Sequence, residues 1–152
     1  MFRGITPLNL DPKGRLVIPT RYRDAVHHQC QGALIATIDP ETPCLLLYPL
    51  AAWEIIEQQI QALPSFNKAT RRIQRLLIGH ATECEMDSQG RVLLPQTLRD
   101  YANLAKNLIL VGQGKKFEIW ADAAWHSAKT QWLDEEANKS THMPAELETI
   151  AL

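Results

Sequence analysis

Short apolar runs bounded by turn-forming residues recur along the chain and predict β-strands. Most of these runs are rich in branched aliphatic or aromatic residues, and most end near glycine, proline, asparagine or aspartate. Their lengths are typical of strands and too short for the helices of a globular domain. The predicted strands are 5–10, 15–18, 33–38, 44–48, 81–86, 91–94, 107–112 and 116–120.

Apolar residues spaced three or four apart predict helices between and after these strands. From Leu50 to Leu63 they recur at this spacing, and Pro64 ends the helix. A further helix begins after Asn67, which is a suitable N-cap residue. The other predicted helices are 20–26, 96–102 and the acidic helix 122–136, and the stretch 138–152 is predicted to be a frayed helix or a tail.

The second half of the chain repeats the first at an offset of 76 residues. The shared pattern is Asp-x-x-Gly-Arg, followed by three apolar residues and proline. A self-similar chain of this kind indicates two copies of one module, each with the order strand, turn, strand, short helix, strand, loop, strand. The matching positions are Asp11 with Asp87, Gly14 with Gly90, Arg15 with Arg91, Pro19 with Pro95, and Arg23 with Arg99.

The two Asp-x-x-Gly tetrads have the composition of tight turns. Aspartate is favoured at the first position of a type I turn and glycine at the fourth. Glycine also accepts a positive φ angle and can form a bulge there. We therefore expect Asp11, Gly14, Asp87 and Gly90 to have structural roles in the turns. We also expect the strand after each turn to pair back on the strand before it.

These elements predict an α+β protein with tandem modules. The first repeat is assigned to residues 5–52 and the second to residues 81–124. A helical connector occupies 53–80, and a C-terminal helix with an acidic tail occupies 125–152.

Composition and motifs exclude several functional classes. Because the net charge is −1, any nucleic-acid binding must come from local patches. No apolar run approaches the ~20 residues of a membrane helix, and the N-terminus lacks a signal-sequence core, which favours a cytoplasmic location. The five histidines are scattered outside known catalytic motifs, and the three widely spaced cysteines suit reduced, buried thiols. We expect no enzymatic activity, no cofactor or metal, and no small-molecule substrate.

The two copies differ in charge although they share the Asp-x-x-Gly-Arg pattern. Residues 1–24 carry five basic and two acidic side chains, whereas the aligned residues 77–100 carry two basic and four acidic ones. Phosphate binding favours the first set and disfavours the second. The first module is therefore interpreted as a ligand-binding face, and the second as a copy kept for architecture or for contacting a neighbouring chain.

Arg15 follows the first turn and has two interpretations. It can form a structural ion pair with Asp11, as Arg91 can with Asp87. Its basic surroundings point instead to DNA, because arginine binds guanine through two hydrogen bonds in the major groove. Arg91 lies among acidic residues and is expected to be a structural residue paired with one of them. The candidate DNA-binding residues are Arg3, Lys13, Arg15, Arg21 and Arg23.

A basic stripe is predicted on the helix that precedes the second repeat. At about 100° per residue, Lys68, Arg71, Arg72 and Arg75 fall opposite an apolar arc that is expected to be buried. Four interpretations stay open for these charges: a solvated face, pairing with the acidic helix 122–136, contact with DNA, or contact with another subunit.

The duplicated motif resembles the MraZ family of transcriptional regulators, in the AbrB-like swapped-hairpin superfamily. The resemblance covers about residues 1–135 and also rests on the N-terminal Met-Phe-Arg-Gly, the arginine-rich connector and the Trp-led helices of both copies. It implies tandem swapped-hairpin β-barrel modules in one chain with flanking helices, and a homo-oligomeric ring, expected to be an octamer. Interlocking the two copies would pair strand edges that a single module leaves open.

The same resemblance implies a function. It implies a repressor that binds repeated sites in double-stranded DNA, at the promoter of a division and cell-wall gene cluster that includes its own gene, and hence a place at the nucleoid. Arg15 is then the expected DNA contact. Two other functions stay open. One is an antitoxin of the same superfamily, although two modules and a short tail argue against it. The other is a protein whose ring is itself the function.

Overall fold

The computed structural model describes residues 1–138 and 143–151. Two compact units are formed, Met1–Asp122 and Ala123–Leu152. The strands are β1 (Phe2–Asn9), β2 (Arg15–Val17), β3 (Ala33–Ile38), β4 (Leu45–Pro49), β5 (Thr82–Glu85), β6 (Arg91–Leu93), β7 (Asn107–Gly114) and β8 (Lys116–Ala121). The helices are α1 (Thr20–Cys30), α2 (Leu50–Gln61), α3 (Lys68–Ile73), α4 (Gln96–Tyr101), α5 (Asp122–Asn138) and α6 (Ala145–Glu148), and a π-helical segment, Gln74–Ile78, directly follows α3.

An antiparallel six-stranded sheet, in the order β1-β7-β8-β4-β3-β5, forms the framework of the first unit. β2 and β6 form a separate two-stranded ribbon, and every described strand pair is antiparallel. Helices lie between the strands along the chain. The predicted α+β class is confirmed.

Strands of one repeat pair with strands of the other. β1 pairs with β7, and β5, which corresponds to β1 in the second repeat, pairs with β3. β2 pairs with its counterpart β6, and β4 with its counterpart β8. Among the described strands, only β3·β4 and β7·β8 are hairpins within one repeat. Both edges of each repeat's hairpin are therefore covered by strands of the other repeat, and β1 and β5 are the edge strands of the sheet.

The expectation that the strand after each turn pairs back on the strand before it is wrong. Across the first turn the Asp11 N–H donates to the Arg15 carbonyl at 2.9 Å, but β2 then pairs with β6 and not with β1. The ribbon is closed across the repeats, because the Ile18 N–H donates to the Gly90 carbonyl at 2.7 Å. Pairing with the equivalent strand satisfies the backbone groups of both short strands at once, which outweighs pairing within the repeat.

Aromatic packing fixes the N-terminal strand. Phe2 is 2% exposed, and its ring stacks on Phe117 with 4.2 Å between centroids. Tyr22 of α1 packs edge-on against both rings. Burying a phenylalanine side chain contributes about 1.5–3 kcal/mol. For this reason β1 begins at Phe2 and not at residue 5, where the sequence predicted its start.

Local capping sets the helix boundaries. α1 extends beyond its predicted end at residue 26, and it stops where Gln31 and Gly32 adopt positive φ angles of 55° and 87°. Such a left-handed pair is a common helix terminator. Asn67 caps α3 as predicted, because its Oδ1 accepts from the Ala69 N–H at 2.7 Å.

Two side-chain hydrogen bonds anchor the connector between the repeats. Thr37 Oγ1 donates to the Leu77 carbonyl at 2.7 Å, and Gln74 Nε2 donates to the Ile60 carbonyl at 3.1 Å. Both bonds involve the π-helical segment, whose wider turn departs from 100° per residue. The predicted buried arc is therefore only partly formed, and no residue of α3 or of the π-helical segment is fully buried.

The second unit is helical. Trp125 and Trp132 lie about two turns apart on α5, with ring centroids 5.8 Å apart in an edge-on arrangement. α5 confirms the acidic helix predicted over 122–136. The predicted tail contributes α6, while residues 139–142 and 152 of it lie outside the described residues. Over the described residues, no helix of either unit is long and apolar enough to cross a membrane.

Gly90→Ala is expected to lower the free energy of unfolding by about 1–3 kcal/mol. Gly90 has a φ of 79°, and a Cβ at this position would lie 2.3 Å from Arg23 Nε. The matched control is Gly79→Ala, because Gly79 has a helical φ of −62° and open space around it. The control should be neutral or stabilise the protein by up to ~1 kcal/mol. Chemical denaturation measures both variants, and equal stabilities would contradict the turn geometry.

Candidate nucleic-acid interface

The first Asp-x-x-Gly-Arg turn holds the Arg15 guanidinium by a carboxylate. Asp11 Oδ1 accepts from the backbone N–H groups of Lys13 and Arg15, both at 2.9 Å. Asp11 Oδ2 accepts from Arg15 Nε at 2.7 Å. Because the guanidinium is fixed through Nε, its two Nη groups are left as donors for another partner. Lys13 is exposed in the same turn.

The second turn repeats this geometry. Asp87 Oδ1 accepts from the N–H groups of Gln89 and Arg91, at 2.9 and 2.8 Å, and Asp87 Oδ2 accepts from Arg91 Nε at 2.7 Å. Both ion pairs that the sequence allowed are therefore present. The Arg15 side chain is 28% exposed and the Arg91 side chain 35% exposed. Ion pairs this open to solvent contribute little to stability, so their main effect is to orient the guanidinium groups.

Asp11 and Asp87 have pKa values below the ordinary value for aspartate. The largest cause is a hydrogen bond from a backbone N–H, that of Arg15 at Asp11 and that of Arg91 at Asp87. The guanidinium of the same arginine also lowers the pKa in each case. Since folding lowers these pKa values, the stability that the two carboxylates contribute is present above the ordinary aspartate pKa of about 3.9. It is lost as the pH falls through the lowered pKa values of the folded state.

The double variant Asp11→Asn with Asp87→Asn is expected to lose part of the acid sensitivity of the protein. Asparagine keeps an acceptor for the backbone N–H groups but does not titrate. The unfolding temperature, measured from about pH 5 to pH 2, should therefore fall less steeply for the variant than for the parent chain. Parallel curves for the two proteins over this range would contradict the assignment.

Arg15 and Arg91 lie on one face of the β2·β6 ribbon. In its register Arg15 is opposite Leu93, and Val17 is opposite Arg91. Opposite residues of an antiparallel pair point to the same side, so these four side chains share a face. Val17 is 42% exposed and Leu93 54% exposed, whereas the central pair of the ribbon is fully buried on the other side. The ribbon thus presents two arginines to solvent.

This proximity was not predicted from the sequence. Interlocking of the two copies was expected, but DNA contact was assigned to Arg15 and a structural role to Arg91. Diagonal positions of an antiparallel pair lie about 7–8 Å apart, which is about two 3.4 Å steps along a DNA strand. The repeat itself could have indicated that Arg15 and Arg91 lie close together, because equivalent residues of a pseudo-symmetric pair of modules can meet at the symmetry axis.

Arg3 and Arg21, also predicted to bind DNA, meet at Tyr22. Arg21 Nη2 donates to Tyr22 Oη at 2.9 Å and to the Thr6 hydroxyl, and its Cζ lies 4.6 Å from the centroid of the Tyr22 ring. The Tyr22 hydroxyl donates to the Arg3 carbonyl. Both arginines are exposed. β1 and α1 thus bring two cationic residues of the first repeat to one part of the surface.

Arg23 makes a structural contact that the sequence did not predict. Its Nε donates to the Ile18 carbonyl at 2.8 Å, and its guanidinium packs against Gly90 of the other repeat. The counterpart Arg99 packs against Gly14 in the same way. This duplication gives the repeated glycine and the repeated arginine a common structural reason. DNA contact by Arg23 stays a prediction.

The basic stripe, Lys68, Arg71, Arg72 and Arg75, is exposed on α3 and the π-helical segment. Within the first unit, ion pairs to aspartate are formed by Arg15 and Arg91 and not by the residues of the stripe. None of the four stripe charges is neutralised by a carboxylate there.

Cys44 lies beside two carboxylates, which the spacing of the cysteines did not reveal. Its Sγ and the carboxylate oxygens of Asp39 and Glu118 lie within 4.8 Å of one another. Burial raises the pKa of Cys44 to about 12, and burial also raises the pKa of Glu118. The thiol therefore stays protonated at neutral pH, and it donates to Asp39 Oδ2 at 3.9 Å.

Comparison with known proteins agrees with the duplicated architecture. The family model described as "MraZ protein, putative antitoxin-like" matches twice, over residues 1–76 and 77–146. Proteins named Transcriptional regulator MraZ from Legionella pneumophila (strain Corby) and Alkalilimnicola ehrlichii are each 55% identical to this chain over 152 residues. One from Coxiella burnetii (strain Dugway 5J108-111) is 51% identical over 152 residues, and all three matches cover 100% of both chains. The chain belongs to the MraZ family of transcriptional regulators.

Proposed function

We propose that this protein is a sequence-specific DNA-binding repressor that contacts DNA with the exposed face of the β2·β6 ribbon. One observation carries the proposal. The ribbon presents two arginines on one solvent-facing side, and each is held through Nε by an aspartate of its own turn. An arginine supported in this way can enter the major groove without first having to be ordered, and in the proposal Arg15 is the one that does so.

The basic side chains of the first repeat support a leading role for it. Lys13 follows Asp11 in the same turn as Arg15, and Arg3 and Arg21 are held near Tyr22. In the proposal, Arg15 reads bases, while Lys13, Arg3 and Arg21 bind phosphates and fix the register. Arg23 adds positive charge to this repeat in addition to its structural contact.

The proposed architecture is a pair of swapped-hairpin barrel modules in one chain, with repeats over 5–52 and 81–124. The pairing of β1 with β7 and of β5 with β3 supports it. The connector 53–80 and the C-terminal segment 125–152 complete the assignment. Copies of the chain associate into a closed homo-oligomeric ring, expected to be an octamer. A ring presents several ribbons at once, which suits a promoter with repeated binding sites.

The proposed target is the promoter of a division and cell-wall gene cluster that includes the gene of this protein, so the protein would act at the nucleoid. A gel shift with the upstream region of its own gene tests this. The parent chain should shift that fragment in the presence of excess unrelated DNA, and Arg15→Ala should not. Unlabelled unrelated DNA and unlabelled upstream fragment are compared as competitors. If both remove the shift equally well, binding is not sequence-specific and the proposal is contradicted.

A further inference from the structure

The loop before α3 and the basic stripe form an exposed surface that is not part of the proposed DNA-binding face. Phe66 in this loop is 97% exposed and Leu63 is 46% exposed. The basic stripe follows directly in the sequence, and its four charges are exposed and without a carboxylate partner among the described residues. Large exposed apolar side chains next to cationic ones are typical of a protein-binding surface.

A surface of opposite charge lies on α5. Residues 133–136 are Leu-Asp-Glu-Glu, and all four are exposed. Leu133 is 61% exposed, so this acidic segment also has an apolar component. Like the basic surface, it combines an exposed apolar side chain with several charges of one sign.

We infer that the basic stripe of one copy of this chain binds the acidic segment of a second copy. The inference rests on the proposed ring and names the surfaces that form it. The two surfaces are complementary in charge, and each has an apolar side chain that contact would cover. Every copy carries both surfaces, so in a ring the stripe of each copy meets the acidic segment of the next, and head-to-tail contacts of this type close when the rotation permits.

Charge reversal in both surfaces gives a direct test. The stripe-reversed variant carries Arg71→Glu, Arg72→Glu and Arg75→Glu. The acid-reversed variant carries Asp134→Lys, Glu135→Lys and Glu136→Lys. The control variant carries Lys106→Glu and Lys115→Glu, which reverse exposed charges outside both surfaces. The mass of each full-length chain is measured by light scattering at micromolar concentration and low salt.

The parent chain and the control should have the mass of one closed oligomer, and each reversed variant alone should have a much smaller mass. An equimolar mixture of the two reversed variants should recover the parent mass. In the mixture every reversed stripe meets a reversed acidic segment of another copy, and every native stripe meets a native acidic segment. Recovery therefore requires that the contact joins different copies, and it shows that both variants are folded.

Three results would overturn the inference. Reversed variants that keep the parent mass would show that other surfaces form the oligomer. A mixture that fails to recover would show that the two surfaces do not meet between copies. A mass near 17.2 kDa for the parent chain, which is the mass of one copy, would show that no ring forms.

The binding of each variant to a duplex with a single site is measured in parallel. Retained affinity there leaves the proposed DNA-binding function standing, whereas its loss from the parent chain would contradict that function separately.

Discussion

Replacing Arg15 with alanine should abolish sequence-specific DNA binding while leaving the fold intact. A bidentate arginine–guanine contact provides about 1–3 kcal/mol of discrimination, so affinity for the specific duplex should fall about 5- to 150-fold for each bound ribbon. Asp11 would keep its two backbone donors, so the turn should persist. Fluorescence anisotropy with specific and scrambled duplexes measures the loss, and thermal unfolding checks the fold.

Arg91→Ala is the matched control, because Arg91 has the same turn geometry and lies on the same ribbon face. Its repeat carries more acidic than basic residues, so we expect its affinity to stay within a few fold of the parent. A loss as complete as that of Arg15→Ala, with the oligomer unchanged, would show that the ribbon uses both arginines equally. The charge difference between the repeats would then have no functional meaning.

Raising the salt concentration should weaken DNA binding steeply. If each bound ribbon neutralises about three or four phosphates, the slope of log affinity against log salt is roughly −3 per subunit. Several subunits of one ring that engage repeated sites would make it steeper. Lys13→Ala should make the slope shallower by about 1 and should weaken specific and scrambled duplexes alike, because a phosphate contact carries no sequence information.

The salt series is measured by anisotropy between about 50 and 200 mM monovalent salt. Lys106→Ala, which removes a charge outside the proposed interface, is the control and should keep the parent slope. A flat response of the parent chain over this range would contradict binding through phosphates.

Local sequence signals were sufficient for most of the fold. β3 occupies Ala33–Ile38 as predicted, and Asn67 caps α3 as predicted. Signals that depend on distant partners were not sufficient. The start of β1 depends on the stacking of Phe2 on Phe117, which is far along the chain. The pairing of β2 with β6 depends on symmetry between the repeats, and two three-residue strands have too few residues to define a register.

The candidate site was predicted in the same uneven way. The motif alone allowed the pair of Asp11 with Arg15 as one of two interpretations, because both residues belong to one turn. The contact of Arg23 with Gly90 joins the two repeats, so no local pattern could reveal it. The shared face of Arg15 and Arg91 likewise arises only when the repeats interlock. Side-chain contacts within one turn could therefore be foreseen from the sequence, and contacts between the repeats could not.

Site-specific photocrosslinking tests most directly whether the ribbon face contacts DNA. A benzophenone side chain placed at Val17, which is 42% exposed between the two arginines, would lie against bound DNA. The same group at Ile55 of α2, which is 58% exposed, is the control. If the ribbon face contacts DNA, the specific duplex should crosslink efficiently at position 17 and not at position 55. Crosslinking at position 55 without any at position 17 would contradict it.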